Sequence, residues 1–316
     1  MNSTREGAAR PGMSLTVALC THNHRQRLER TLRGLAQLVP PNCQCELLIV
    51  DNASTDSTPQ LVAAADWRTG WMNVRIVREE KLGLSNARNR AINEAAGEYI
   101  VFMDDDETPD AQWLRAYERI ILAERPDALG GRIEVMFEDG ERPPWLQDEL
   151  LGFLGHLDHG GGARRLVTLD TPIFGGNFAF RKQVFSSVGV FDAGLGRKGT
   201  SNTGGEDTEI YRRMIGLGCN VWWVPDAVIH HRIQVDKLHR RYFLDLHFRQ
   251  GRIEGMRRRG AESRIPPAYL APQLYRATKA ALLERLGRGG NSSLRKEMNV
   301  AYFLGYVLGW MSSRRA

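Results

Sequence analysis

Four short and almost wholly apolar runs recur through the first 125 residues, each followed by a stretch of helical periodicity. They are "SLTVALC" (14–20), "CELLIVDN" (45–52), "NVRIVRE" (73–79) and "EYIVFMDDD" (98–106). The segments after them, "RQRLERTLRGLAQL", "STDSTPQLVAAAD", "LSNARNRAINEAA" and "PDAQWLRAYERIILAE", repeat apolar residues at helical spacing. Strands apolar on both faces must be covered on both faces, so the rhythm predicts an α/β fold with a mostly parallel sheet between helices. Ligands of such sheets bind at the carboxyl ends of the strands. Three of those ends are polar: "THNH" after the first run, "DN" after the second and "DDD" after the fourth. The fold would gather all three on one rim.

After Leu129 the rhythm breaks. "GGRIEVMF" reads as another strand, and 138–170 is irregular and rich in Gly, Pro and His. "FGGNFAFRKQVFSSVG" resumes as strand and helix, "GGEDTEIYRRMIGLG" as a short helix and "NVWWVPDAVIHH" as a strand. From Arg232 onward helical patterns dominate, among them "HRRYFLDLHFRQGRIEGMRRRG" and "PQLYRATKAALLERLG". The expected organisation is a flexible N-terminus (1–13), a catalytic domain (14–232) and a basic helical region (233–316).

Charge follows the same division. The net charge is +6, yet residues 237–316 hold 17 Lys and Arg against 5 Asp and Glu, and the rest holds 26 against 32. A basic tail suggests a polyanionic partner such as a membrane surface, and equally suits a solvated helix face. The four cysteines, Cys20, Cys43, Cys45 and Cys219, fit neither a zinc spacing nor a disulfide framework, which makes a reducing cytoplasm the simplest compartment. The opening "MNSTREGAARPGM" contains no apolar run of a signal peptide. The longest apolar candidate, "VAYFLGYVLGWM" (300–311), is short of the roughly 20 residues that span a bilayer.

In "FMDDDETP" (102–109), strand alternation would put Asp104 and Asp106 on one side and Asp105 on the other. Carboxylates so placed suit Mg2+ or Mn2+ shared with a diphosphate. They equally suit an acidic loop before a helix starting at Pro109. "LGLSNARNR" (82–90) opens a helix with Ser85 as N-cap, and Gly83 and Arg88 beside that helix start suit an anion. In "GGEDTEIYRRMIGLG", Ile210, Met214 and Leu217 define an apolar face that also holds Asp207, with Arg212 and Arg213 outward. An inward carboxylate there is a candidate general base, or a plain helix cap. Of His230 and His231 only one can face a cleft. "GLGRKG" (194–199) fits a dinucleotide fingerprint in letters, but no strand delivers it.

Taken in order, "TVALCTHNHRQRLERTL", "LLIVDNASTDST", "GLSNARNRAI", "YIVFMDDDE", "GGNFAFRK", "GGEDTE" and "PDAVIHHRI" resemble the family 2 glycosyltransferases, from about Leu15 to Arg232. The resemblance implies the GT-A fold and inverting, metal-dependent transfer from a nucleoside-diphosphate sugar. Thr21, Asn23, Asp51, Asn52, Gly83, Arg88, Asp104 and Asp105 would then hold the nucleotide sugar. Asp106 and His231 would hold Mg2+ or Mn2+, and Gly176 and Asn177 would lie beside the sugar and acceptor. Asp207, paired with Glu206, would be the catalytic base. The third aspartate leaves the register of D-x-D open. A "Q-x-x-R-W" signature of processive synthases does not follow the "ED" helix, so a single addition is expected. The donor would be UDP-, GDP- or dTDP-linked, and the acceptor an envelope polysaccharide, a lipid-linked glycan or a similar glycan. The place of action would be the cytoplasm, with an anionic inner membrane face as a candidate partner for the tail and no nucleic acid expected. Rival readings are a nucleotidyltransferase, whose glycine- and arginine-rich first loop "CTHNHRQR" lacks, and a non-catalytic binder of nucleotide sugars or polyanions.

Overall fold

A computed structural model describes residues 13–64, 70–138, 141–197, 204–259, 265–287 and 290–312. The chain runs β1 (Ser14–Thr21), α1 (Arg25–Leu35), β2 (Gln44–Asp51), α2 (Thr58–Ala63), β3 (Asn73–Arg78), α3 (Leu84–Glu94), β4 (Tyr99–Asp104), β5 (Glu107–Pro109) and α4 (Trp113–Glu124). It continues through β6 (Ala128–Phe137), β7 (Arg164–Leu166), β8 (Phe178–Arg181), α5 (Phe185–Val188), α6 (Glu206–Gly216) and β9 (Val221–Ile233). Three helices close it: α7 (Arg240–Arg258), α8 (Leu270–Gly287) and α9 (Gly290–Met311). Two compact units result, residues 1–134 with 157–232, and residues 135–156 with 233–316.

The first unit is built on a mixed sheet ordered β3-β2-β1-β4-β8-β6-β9-β5, with β7 on β9. β3, β2, β1 and β4 are parallel to one another, and β8 is antiparallel to both β4 and β6. The expected α/β fold with a parallel core is therefore present, with antiparallel strands added where the βα rhythm stops. Val17, Ala18 and Leu19 of β1 and Leu47–Val50 of β2 are fully buried, as doubly covered strands require. Phe102, Phe178, Phe180 and Phe191 interlock at centroid distances of 4.7–6.2 Å where the parallel and antiparallel halves meet.

Helix α1 buries Leu28, Thr31, Leu32 and Leu35, a single stripe at helical spacing. Its Thr31 hydroxyl reaches the carbonyls of Asp105 (3.0 Å) and Glu107 (2.8 Å). A Cβ at Gly34 would lie 2.8 Å from the Thr108 methyl, so α1 seats directly on the chain leaving β4. Two local expectations are corrected. Residues 107–109 form a strand paired with β9, and the following helix begins at Trp113 rather than Pro109. The N-cap of α3 is Gly83 (φ 136°), and Ser85 lies in the first turn, donating to the Leu195 carbonyl at 2.8 Å.

In the second unit Leu146, Leu150, Leu154, Ile233, Phe243, Leu294 and Met298 form a separate core. Helices α7 and α9 meet through paired glycines. A Cβ at Gly251 or Gly255 would strike the backbone of Tyr302 or Tyr306, and one at Gly305 or Gly309 that of Phe248 or Arg252. Among the described residues no helix is long and apolar enough to cross a membrane.

Candidate functional site

Parallel register sets Thr21 level with Asp51, and Cys20 level with Asp104, so the ends of β1, β2 and β4 share one rim. Strand β4 stops at Asp104, and a turn carries Asp105 and Asp106 to β5. Alternation therefore stops there too, and the three carboxylates turn to three different partners. Asp104 accepts from Arg88 Nη2 at 3.2 Å. Asp105 is buried, accepts from the Thr21 hydroxyl at 2.6 Å and lies 3.1 Å from His24 Nδ1. Asp106 Oδ2 lies 3.5 Å from His231 Nε2 and 4.0 Å from Arg27.

Burial pushes the Asp105 carboxyl up, and the His24 hydrogen bond opposes it. The same hydrogen bond raises His24. Glu107 accepts from the Asp104 amide at 2.9 Å, and burial, with Asp104 and Asp106 adding, holds its carboxyl well above the usual range. Cys20, beside them, is pushed up to about 12 by burial and is no nucleophile at neutral pH. The β5–β9 register pairs Glu107 with His231 and Thr108 with His230. His231 consequently faces Asp106, while His230 meets Asp110 at 2.7 Å.

Arg88 is buried on α3. Its guanidinium bridges Asp104 and Glu206 (2.9 Å), with its Cζ 5.3 and 5.6 Å from the Phe178 and Phe191 ring centroids. Burial works against its charge, but Asp104 and Glu206 outweigh that and raise its pKa further. Gly175 lies so close that a Cβ would collide with the guanidinium. Helix α6 buries Glu206, Ile210, Tyr211 and Met214, while Leu217 lies past its end and is exposed. This corrects the expected face: Glu206 takes the inward position. Asp207 stands at the edge, half-buried, accepting from the amides of Thr208 (2.7 Å) and Gly175 (3.3 Å). Arg212 is outward as expected, whereas Arg213 is half-buried on the carbonyls of Val188 and Val190.

At the other end of the rim, Asp51 is held by Arg78 (2.9 Å) and the Ser54 amide (3.1 Å). Asn52 accepts from the Gly83 amide and donates to the carbonyls of Glu79 and Lys81, which pins the loop leading to α3. Asn23, with φ 55°, caps the amides of Thr55 and Asp56. Asn177 is a correction. It has no exposed surface, and its side-chain amide is consumed by Trp113, Tyr117 and the carbonyls of Arg132 and Ala227, so that side chain is turned into the core as a structural hub. Gly176 meets the Glu107 carboxyl, where a Cβ would not fit.

A cleft of about 690 Å³, part of it open to solvent, is lined by Thr21, His24, Asn52, Gly83, Asp104, Asp105, Asp106 and Arg197 among others. Asp51, Arg88, Glu206 and Asp207 do not line it. Sequence reasoning passed over His24 and Glu107. Both lie inside quoted motifs, but only the fold shows that one hydrogen-bonds Asp105 and the other supports Asp104. Among the described residues no group of three or more His, Cys, Asp or Glu side chains is arrayed for a metal. Asp106 and His231 supply two facing donors, which suits a cation that draws its other ligands from a diphosphate and water.

The glycosyl transferase family 2 model matches residues 16–189, more than half of the chain. The chain belongs to that family. Glycosyltransferase AglE of Haloferax volcanii is 28% identical over 127 residues, which is 40% of this chain and 41% of that protein. The succinoglycan biosynthesis protein ExoM of Rhizobium meliloti is 24% identical over 245 residues, 77% of this chain and 74% of that one. Mannosyltransferase PcManGT of Pyrobaculum calidifontis, solved with GDP-Man and Mn2+, superposes with a TM-score of 0.60 at 18% identity, covering 93% of this chain and 86% of that one. This likeness shows the GT-A fold in a glycosyltransferase family 2 chain.

Proposed function

We propose that this chain transfers a sugar from a nucleoside-diphosphate sugar to an acceptor hydroxyl of a growing glycan, with inversion at the anomeric carbon. The observation that carries the reading is the convergence of Asp104, Asp105 and Asp106 on one cleft where parallel strand β4 ends, with His231 Nε2 3.5 Å from Asp106. Thr21, His24 and the Asn52–Gly83 corner line the side of the cleft suited to the nucleoside. Asp106 and His231 would hold Mg2+ or Mn2+, which would supply neutralisation of charge on the departing diphosphate. Arg88 fixes Asp104 in place and joins it to Glu206, which leaves Asp207 at the edge of α6 as the carboxylate free to meet a substrate. In this reading Asp207 takes the proton of the acceptor hydroxyl as that oxygen attacks opposite the leaving group, and the single displacement inverts configuration. A glycan acceptor is favoured by the likeness to ExoM, a succinoglycan biosynthesis protein.

The test is a thermal-shift panel of UDP, GDP and dTDP with Mn2+ or EDTA, joined to a transfer assay. One diphosphate should stabilise the chain only with metal, by about 2.7 kcal/mol at about a hundredfold excess over its dissociation constant. Asp106→Ala should abolish that shift. Asp207→Asn should keep it and lose about a hundredfold or more in kcat. No shift with any diphosphate and metal would sink the reading.

A further inference from the structure

The second unit carries an apolar surface that its own core does not use. On α8, Tyr275, Leu282, Leu283 and Leu286 fall seven, eight and eleven residues apart from the first, one helical face. On α9, Leu304, Leu308 and Met311 recur at intervals of four and three. All seven are between 44% and 76% exposed. Leu282 and Leu304 line one shallow groove with Leu244, Ala281, Val300 and Ala301, so the two stripes join. The core of the unit lies on other faces, through Leu294 and Met298 of α9 and its paired glycines against α7.

We propose that this face docks the protein peripherally on an anionic lipid surface. Its charge selects that occupant. Helices α8 and α9 hold Arg276, Lys279, Arg285, Arg295 and Lys296 against Glu284 and Glu297. Lys279 stands one turn from both Tyr275 and Leu283. Lys279 and Lys296 are exposed, with no acidic partner within 4.0 Å among the described residues. Leucines flanked by unpaired cations are the composition of an interfacial helix, whose apolar side chains enter the headgroup boundary while the cations meet lipid phosphates. A second copy of the chain would set the same basic faces against each other, at an electrostatic cost. Among the described residues no helix is long and apolar enough to cross the bilayer.

The experiment is co-sedimentation of the full chain with vesicles of phosphatidylcholine alone, or with phosphatidylglycerol as about a third of the lipid. Binding is expected to the anionic vesicles and to weaken at about 0.5 M salt. Leu282→Ser with Leu286→Ser, and separately Lys279→Glu, should each lower partitioning about tenfold with an unchanged melting temperature. Those positions are exposed, so folding should survive the changes. Absence of binding to either vesicle would overturn the proposal, as would leucine variants that bind normally. So would leucine variants that split a dimer and leave vesicle binding intact, which would give the face to a second copy. The proposal uses neither Asp106 nor Asp207, so loss of nucleotide binding and loss of vesicle binding are read separately.

Discussion

Replacing Arg88 by Met keeps most of the side chain's volume and deletes its charge. Arg88 and Glu206 side chains are 3% and 7% exposed, Arg88 Nη1 donates to Glu206 Oε1 at 2.9 Å, and Glu206 Oε2 has no hydrogen-bond partner among the described residues. Removing the cation thus strands a buried carboxylate, which costs about 3–5 kcal/mol. Asp104 is 34% exposed, so solvent screens its share, and losing that contact adds at most about 1 kcal/mol. The lost contact with Phe178 and Phe191 adds about 1 kcal/mol. The expected loss is therefore about 4–7 kcal/mol, read from urea unfolding by linear extrapolation. Arg88→Met with Glu206→Gln removes the stranded charge and should recover about 2 kcal/mol or more of it. A single variant within about 1 kcal/mol of the parent, or a double variant no more stable than the single, would refute this account of the pair.

Asn177→Leu should cost about 3 kcal/mol or more in the same assay, because it leaves Trp113 Nε1–H and two carbonyls unpaired in the core. His247 is lowered by burial and by Arg295, and its ring meets Phe153 edge-on at 4.7 Å. The folded state therefore prefers the neutral ring. Stability present above the unfolded pKa, about 6.5, is lost as pH falls toward the lowered folded value, at no more than about 1.4 kcal/mol per pH unit. His247→Phe should flatten that slope in urea titrations across this range, and an unchanged slope would remove His247 from the account. Gly305→Leu must part α9 from the Phe248 backbone and should lose about 2 kcal/mol or more, seen as earlier melting of the helical circular dichroism signal.

The rim was legible because period and polarity coincide: apolar runs ending in "THN", "DN" and "DDD" need only a parallel sheet to bring Thr21, Asn52 and Asp104 together. What escaped depends on where an element stops. Asp105 turns to Thr21 and His24 because β4 ends one residue earlier. Glu206 and not Asp207 points inward because α6 begins at Glu206 and ends before Leu217, which removes the third residue used to phase the face. Glu107 reads as part of an acidic turn until β5 pairs it with His231, 124 positions away, and no local pattern announces such a partner. Asn177 sits in a polar motif, and its burial follows from two aromatic side chains on α4 that only the fold brings to it.

The Thr31 hydroxyl holds the carbonyls on both sides of Asp106, and Gly34 admits the chain beyond them. Helix α1 is in this sense the mould in which the acidic turn is cast. Its inner face answers to two demands at once, the core packing of Leu28, Leu32 and Leu35 and the seating of the turn by Thr31 and Gly34. A valine at position 31 would keep the shape and release both carbonyls, and the turn would lose its set while the side chains that bear its charge stayed untouched. Screens for altered donor affinity should therefore return changes in α1 that contact no ligand.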